Sequence, residues 1–184
     1  MSEVLLVGGS GVLGRSVLPH LRGRDVVATT RTPAKLDLLR RLGARAVICD
    51  VYDTDALKQV AVEARPEVVV NFLTDLGVRD SAANSRIRRE GGPTVVAAAQ
   101  AAGARRLVVE SISFRPGDPA VEILERSALE SGLDTLVLRF GLFWGPGTWY
   151  ESEPDDERPH VYITEAAKRA AELLFDAAPG VYVI

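Results

Sequence analysis

Residues 7–16 read VGGSGVLGRS, with Gly8, Gly11 and Gly14 at every third position. The run is entered from the apolar stretch EVLLV (3–7). It is left through RSVLPHLRG, where Val17, Leu18 and Leu21 share one helical face and Pro19 kinks the helix or removes one of its hydrogen bonds. Strand, glycine turn and helix together make the spacing informative. Glycine permits the tight turn, lets backbone approach a pyrophosphate and lets helix pack close to strand, while the helix start offers unpaired N–H donors and positive potential. The turn predicts a dinucleotide site built from Gly8, Ser10, Gly11, Val12, Leu13 and Gly14; the alternative is a glycine turn with a structural role only.

Outward from this turn, β-rich runs alternate with helical patterns. The strands expected are DVVATTR (25–31), ARAVICD (44–50), EVVVNFL (67–73), RRLVVESIS (105–113), one within LDTLVLRFGLFWG (133–145), and the closing GVYVI. Between them, TPAKLDLLRRLG carries Thr32 as N-cap, Pro33 at the first helical position and Gly43 past the end. DTDALKQVAVEA is opened by Asp53 or Asp55, a long helix starts near Ser81 with a kink at Pro93, PAVEILERSALESG is another helix, and residues 164–178 form a last helix capped by Thr164. Parallel strands need helix-length connections, and runs such as VVV are apolar on both faces. The fold class expected is α/β, a doubly wound Rossmann-like sheet, mostly parallel, of about seven strands with helices on both faces. Residues 1–184 read as one dinucleotide-binding domain, with ESEPDDERP (151–159) as a solvated loop.

Composition narrows the function classes. A net charge of −3 argues against a general nucleic-acid surface, which needs a basic excess. The lone Cys49, inside an apolar run, excludes a disulfide framework and reads as a buried thiol. No apolar run approaches the ~20 residues that span a membrane, and no signal peptide is visible, so a cytoplasmic location is expected. No His/Cys/Asp/Glu spacing resembles a metal site.

The end of the second strand discriminates cofactors. A carboxylate there would bond the ribose hydroxyls of NAD, whereas this chain has Thr29, Thr30, Arg31 and Thr32. A guanidinium forks onto phosphate oxygens, so NADP(H) is preferred over NAD(H), with Arg31 on the 2′-phosphate and Arg15 as a second cation. Asp50 either accepts from the adenine amino group, with Val51 beside it, or caps the next turn. Asn71, Phe72 and Leu73 end the fourth strand, where the cofactor's ribose should pass.

With these motifs in order, the chain resembles the extended and atypical short-chain dehydrogenase/reductases of the NAD(P)-dependent epimerase/dehydratase type. The likeness runs through VGGSGVLGRS, TTRTPAKLDLL, ICDVYD, EVVVNFL, AAAQAAGARRLVVESIS, LVLRFGLFWGPGT and GVYVI. It implies a Rossmann core, a nicotinamide dinucleotide and a substrate site beyond the carboxyl ends of the strands. It also implies a serine after the fifth strand, here Ser111, and a Tyr-x-x-x-Lys pair on the next helix. That pair is missing: its positions fall at Gly117 and Val121, and the segment holds neither Tyr nor Lys. Arg88 lies where the family often has asparagine, with Asn84 a turn earlier, and the family's H-V-D-D-A-A appears as YITEAA, with Tyr162 for histidine and Thr164 for the capping aspartate. Only a short acidic loop stands where relatives carry a substrate-binding insertion, which implies a shallow pocket or one completed by another subunit.

Candidate catalytic groups are Ser111, to bond a carbonyl oxygen; Glu110, as acid or base if desolvated, or else paired with Arg115 or Arg139; and His160, as acid or base or as a solvated loop residue. Trp144, Trp149 and Tyr150 form either an aromatic wall for a small-molecule substrate or a homodimer contact. Three functions fit this pattern: an NADP(H)-dependent reductase or epimerase-type oxidoreductase on a small carbonyl compound, a nonredox isomerase or cyclase, and a noncatalytic NADP(H)-sensing module.

Overall fold

The computed structural model describes residues 3–74 and 81–184. Its centre is a seven-stranded sheet in the order β3-β2-β1-β4-β5-β6-β9, every pairing parallel. The strands are β1 (Val4–Val7), β2 (Val26–Thr30), β3 (Arg45–Ile48), β4 (Val68–Asn71), β5 (Arg106–Ile112), β6 (Asp134–Phe140) and β9 (Gly180–Val183). This is the doubly wound arrangement expected, and its order reverses between β1 and β4. Such a switch point opens a crevice at the carboxyl ends of the strands.

Side-chain alternation along the strands divides the core. Val4 and Leu6 pack with Leu13 and Val17 of α1 (Val12–Val17), Leu39 of α2 (Leu36–Arg41) and Ala166 and Ala170 of α7 (Ile163–Leu173). Leu5 and Val7 pack on the other face with Leu57 and Ala61 of α3 (Thr54–Ala64), Val95 and Ala98 of α5 (Gly92–Ala101) and Ala128 of α6 (Pro119–Leu129). All four side chains of β1 are buried, which is why that strand shows no polar alternation.

Helix punctuation follows local chemistry. Proline lacks an N–H donor, and after Val17 the first helix tightens into a 3₁₀ turn, Leu18–Leu21, around Pro19. Pro33 opens a 3₁₀ turn, Pro33–Lys35, with Thr32 at the cap position but making no side-chain cap bond. Asp53, not Asp55, caps α3 by accepting from the Ala56 amide at 3.0 Å. Before Pro93, the long helix divides into α4 (Ser81–Arg86) and α5 through a π-turn, Ile87–Gly91. The last helix corrects an expectation: Thr164 lies inside its first turn, Tyr162 holds the cap position without a side-chain bond, and the helix ends at Leu173. Two short strands, β7 (Leu142–Trp144) and β8 (His160–Tyr162), pair in parallel outside the main sheet. They frame the polar loop and bring Trp144 against Tyr162 in a tilted contact, ring centroids 4.6 Å apart. No helix among the described residues is long and apolar enough to cross a membrane.

Candidate active site

The glycine turn is shaped by backbone contacts. Gly8 has φ +86°, and a Cβ there would stand 2.6 Å from the Phe72 carbonyl oxygen. At Gly14 a Cβ would stand 2.5 Å from the Gly8 oxygen, so α1 rests directly on the turn. Gly11 differs. Its φ of −68° and ψ of 170° suit any residue, and a Cβ would meet nothing nearer than the Gly8 oxygen at 3.2 Å. The backbone does not demand glycine there, and the one tight contact is milder than those at Gly8 and Gly14; the missing side chain leaves the turn open to close approach by a ligand. The first-turn amides of α1 have no intrahelical acceptor and supply the donors such a ligand needs. The turn therefore fits a dinucleotide's pyrophosphate.

A cleft of about 860 Å³ opens over this turn. Residues 147–150 and Arg158 form one wall of it, where relatives carry the longer insertion. Arg15 ties that wall to the turn by donating to the Gly147 carbonyl at 3.2 Å. At the nucleotide end the lining includes Arg15, Arg31, Thr32 and Lys35. The Ser10 and Thr30 hydroxyls share a hydrogen bond of 2.9 Å, and Thr30 also accepts from the Thr32 amide. Three cations and hydroxyl-bearing side chains gather where an NAD-selective site would carry a carboxylate.

Of the expected cofactor residues, Gly8, Ser10, Gly11, Val12, Arg31, Asp50, Val51, Phe72 and Leu73 line the cleft. Leu13 is buried beneath it, and Gly14 serves packing. Asn71 is buried and accepts from the Leu73 amide, shaping the strand end rather than facing the cleft. The Asp50 carboxylate accepts from the Tyr52 amide, closing a turn. Cys49 also lines the cleft, but burial and then the nearby Asp53 and Asp50 push its thiol up to about 11, which leaves it protonated and inert.

At the other end, strand alternation decides between two neighbours. Glu110 and Ile112 face the cleft, and Ser111 between them does not. This corrects the expectation for Ser111: it is 1% exposed, and its hydroxyl donates to Glu125 of α6 at 2.5 Å. Arg139 closes the same cluster with two bonds to Glu125, at 2.9 and 2.5 Å. Burial opposes the Glu125 charge, but the hydrogen bonds from Arg139 and Ser111 outweigh it and hold the carboxyl below its usual range. Ser111→Ala is expected to cost about 1 kcal/mol in urea unfolding while leaving turnover within a few-fold; a loss of a hundredfold or more would return Ser111 to the catalytic set.

Glu110 pairs with neither Arg115 nor Arg139. It is buried, and desolvation lifts its carboxyl to about 7, against a partial pull from Arg88. Arg88, in the π-turn, is 6% exposed and lines the cleft beside it. His160 lies outside the cleft: its ring contacts the Glu153 carboxylate at 2.9 Å and the Arg158 carbonyl at 3.1 Å. Trp149 and Tyr150 line the cleft, while Trp144 does not. Gly117 lies in the turn before α6 and Val121 is buried, so the family's proton-relay positions hold no ionisable group. Among the described residues no His/Cys/Asp/Glu cluster could hold a metal ion. Sequence reasoning missed Arg88 as a site residue; its signal was Gly91-Gly92-Pro93 inside an otherwise helical run.

Known proteins match this picture. The family model described as NAD(P)H-binding covers residues 8–144. A 3-diazoavenalumate denitrifying reductase from a Streptomyces species is 37% identical over 181 residues, covering 80% of this chain; the chain spans 58% of that relative's length. The Bordetella bronchiseptica enzyme WbmH in complex with NAD+ superposes with a TM-score of 0.80 at 18% identity, over all of this chain and 75% of that one. ChuY, an anaerobilin reductase from Escherichia coli O157:H7, gives a TM-score of 0.75 at 22% identity over 99% of this chain and 96% of that one. The glycine turn, the parallel strand order and the matched span agree: the chain belongs to the NAD(P)H-binding family of atypical short-chain dehydrogenase/reductases.

Proposed function

We propose that the protein is an NADPH-dependent reductase of a small, already electrophilic acceptor, either a conjugated carbonyl or a diazo compound. One observation carries this: a single cleft joins the glycine turn and its cationic rim to an apolar end whose buried carboxyl, Glu110, is not backed by a Tyr–Lys pair. When bound, the nicotinamide supplies hydride. The α1 amides and Gly11 seat the pyrophosphate, and Arg31, Arg15 and Lys35 favour the extra phosphate of NADP(H). Ile112 and Phe114, which follow Glu110 in the chain and line the same cleft, are the apolar neighbours that keep water from it, and the carboxyl, protonated below about pH 7, delivers its proton to a reduced carbonyl oxygen.

A diazonium acceptor asks less of the protein. Hydride adds at the terminal nitrogen to give an aryldiazene; its N–H proton is lost, the C–N bond breaks as dinitrogen leaves, and the ring carbon takes up a proton, so the charges cancel and no net proton is consumed. The Streptomyces relative's name describes a reductase of a diazo compound, and a site stripped of the usual acid suits that chemistry.

The test is NADPH oxidation against aryl diazonium salts and conjugated ketones, with nucleotide binding followed by calorimetry. Oxidation with neither acceptor class would sink the reading. Arg31→Ala is expected to weaken NADPH roughly 10–100-fold and leave NADH nearly unchanged, because charge-assisted hydrogen bonds contribute about 1.5–3 kcal/mol. Equal losses for both nucleotides would reject the NADP(H) preference.

A further inference from the structure

Arg88 is 6% exposed, and it reaches the cleft from a π-turn, a helix defect often found at functional sites. Among the described residues its guanidinium makes no hydrogen bond and no ion pair. A buried cation with five donors is costly to leave unmatched. Two other arginines of the cleft wall are engaged: Arg15 donates to Gly147, and Arg158 pairs with Asp156. The charges around Arg88 come from three places. Glu110 on β5 and Asp118 at the α6 cap attract it, Arg115 repels it, and desolvation, the largest influence, draws its pKa below the usual guanidinium range. None of these groups comes within hydrogen-bond reach of it.

Resting on the reductase reading, we infer that Arg88 seats a carboxylate of the substrate, which is therefore a small aromatic or conjugated acid. The planar fork of a guanidinium matches a carboxylate with two parallel bonds. Glu110 nearby is neutral when protonated and so does not repel a monoanion seated on Arg88, whereas a phosphate dianion would bring a second charge into the same buried end. Ile112, Phe114 and Trp149 line the same cleft and supply the apolar surface that an aromatic or conjugated body requires. The subsite anchors the acid end and leaves the electrophilic end to be reduced.

The probes are cinnamate and methyl cinnamate, titrated by calorimetry into the protein loaded with NADP+. Cinnamate is expected to bind roughly 10–100-fold more tightly than its ester. Arg88→Gln should remove that preference and leave ester and NADP+ affinities unchanged, and Arg88→Lys should restore part of it. Equal affinity for acid and ester in the unaltered protein, or binding of neither probe at millimolar concentration, would overturn the assignment. So would an Arg88→Gln variant that keeps the preference, or one that loses NADP+ instead. If that variant does not fold, the acid-to-ester ratio of the unaltered protein decides. NADPH oxidation, measured separately, keeps the two readings distinct: preference for the acid without turnover removes the reductase and leaves the subsite, and turnover without preference does the reverse.

Discussion

Glu110→Gln is expected to slow NADPH-dependent reduction of conjugated ketones by about 10²–10⁴-fold while leaving diazonium reduction within a few-fold. The amide keeps the shape and burial of the side chain and removes the proton. A ketone needs that proton as its oxygen gains charge, and a diazonium group does not. With Glu110 held at about 7, the ketone rate of the unaltered protein should fall tenfold per pH unit above neutrality as the acid ionises. The variant's residual rate should not follow that profile. Stability should also fall with rising pH, over a lower window. The folded-state pKa is raised from 4.5, so between about pH 4.5 and 7 the native protein keeps a proton that the unfolded chain has lost. Stability is therefore fully present below that window and declines as pH rises through it, by a total on the order of 3 kcal/mol. Urea unfolding at pH 5 and pH 8 should show the decline in the unaltered protein and not in Glu110→Gln, which becomes the more stable of the two at pH 8. A group that costs stability when charged and speeds turnover when protonated is serving the site. Identical ketone rates in both proteins would remove Glu110 from the chemistry.

The sequence carried the sheet more fully than the site, for physical reasons. Strand runs such as VLLV and VVV are apolar on both faces because both faces are covered. Pro19, Pro33 and Gly43 act through backbone geometry that is local to the sequence. The rest depended on tertiary placement. Glu110 and Ser111 are adjacent, polar and at a strand end; period-two alternation means that only one faces the cleft, but nothing local says which. Glu125 gave the answer, because it captures Ser111 from the opposite side. β7 and β8 are three residues each and have no periodicity to read. His160, which begins β8, is turned to Glu153 by a pairing that only the folded loop creates. Arg88 was legible as a departure from the family's asparagine, whereas its burial in a π-turn was not. Gly91, Gly92 and Pro93 interrupt the helix in sequence, but the direction in which the interruption points a side chain depends on α6 and β5.

Two alanine substitutions in the glycine turn are expected to separate folding from nucleotide binding. At Gly14 the new Cβ would lie 2.5 Å from the Gly8 oxygen and 2.8 Å from the Gly9 Cα, both backbone atoms that no side-chain rotation can move. α1 must then lift from the turn, carrying Leu13 and Val17 with it out of a core they share with β1 and α7. Overpacking of this kind costs typically 1–3 kcal/mol, and the displaced amides lose their aim, so Gly14→Ala should show both a lower urea midpoint and a loss of NADPH affinity of roughly 100-fold or more. Gly11→Ala meets only one tight contact, 3.2 Å to the Gly8 oxygen, in an extended backbone that alanine adopts freely. Its urea midpoint should stay close to that of the unaltered protein, while NADPH affinity falls at least tenfold, because the methyl stands where the pyrophosphate must approach. Calorimetry and unfolding on the two variants decide the matter. If Gly11→Ala binds NADPH normally, the turn does not hold the diphosphate at that position, and the cofactor path along the cleft must be redrawn.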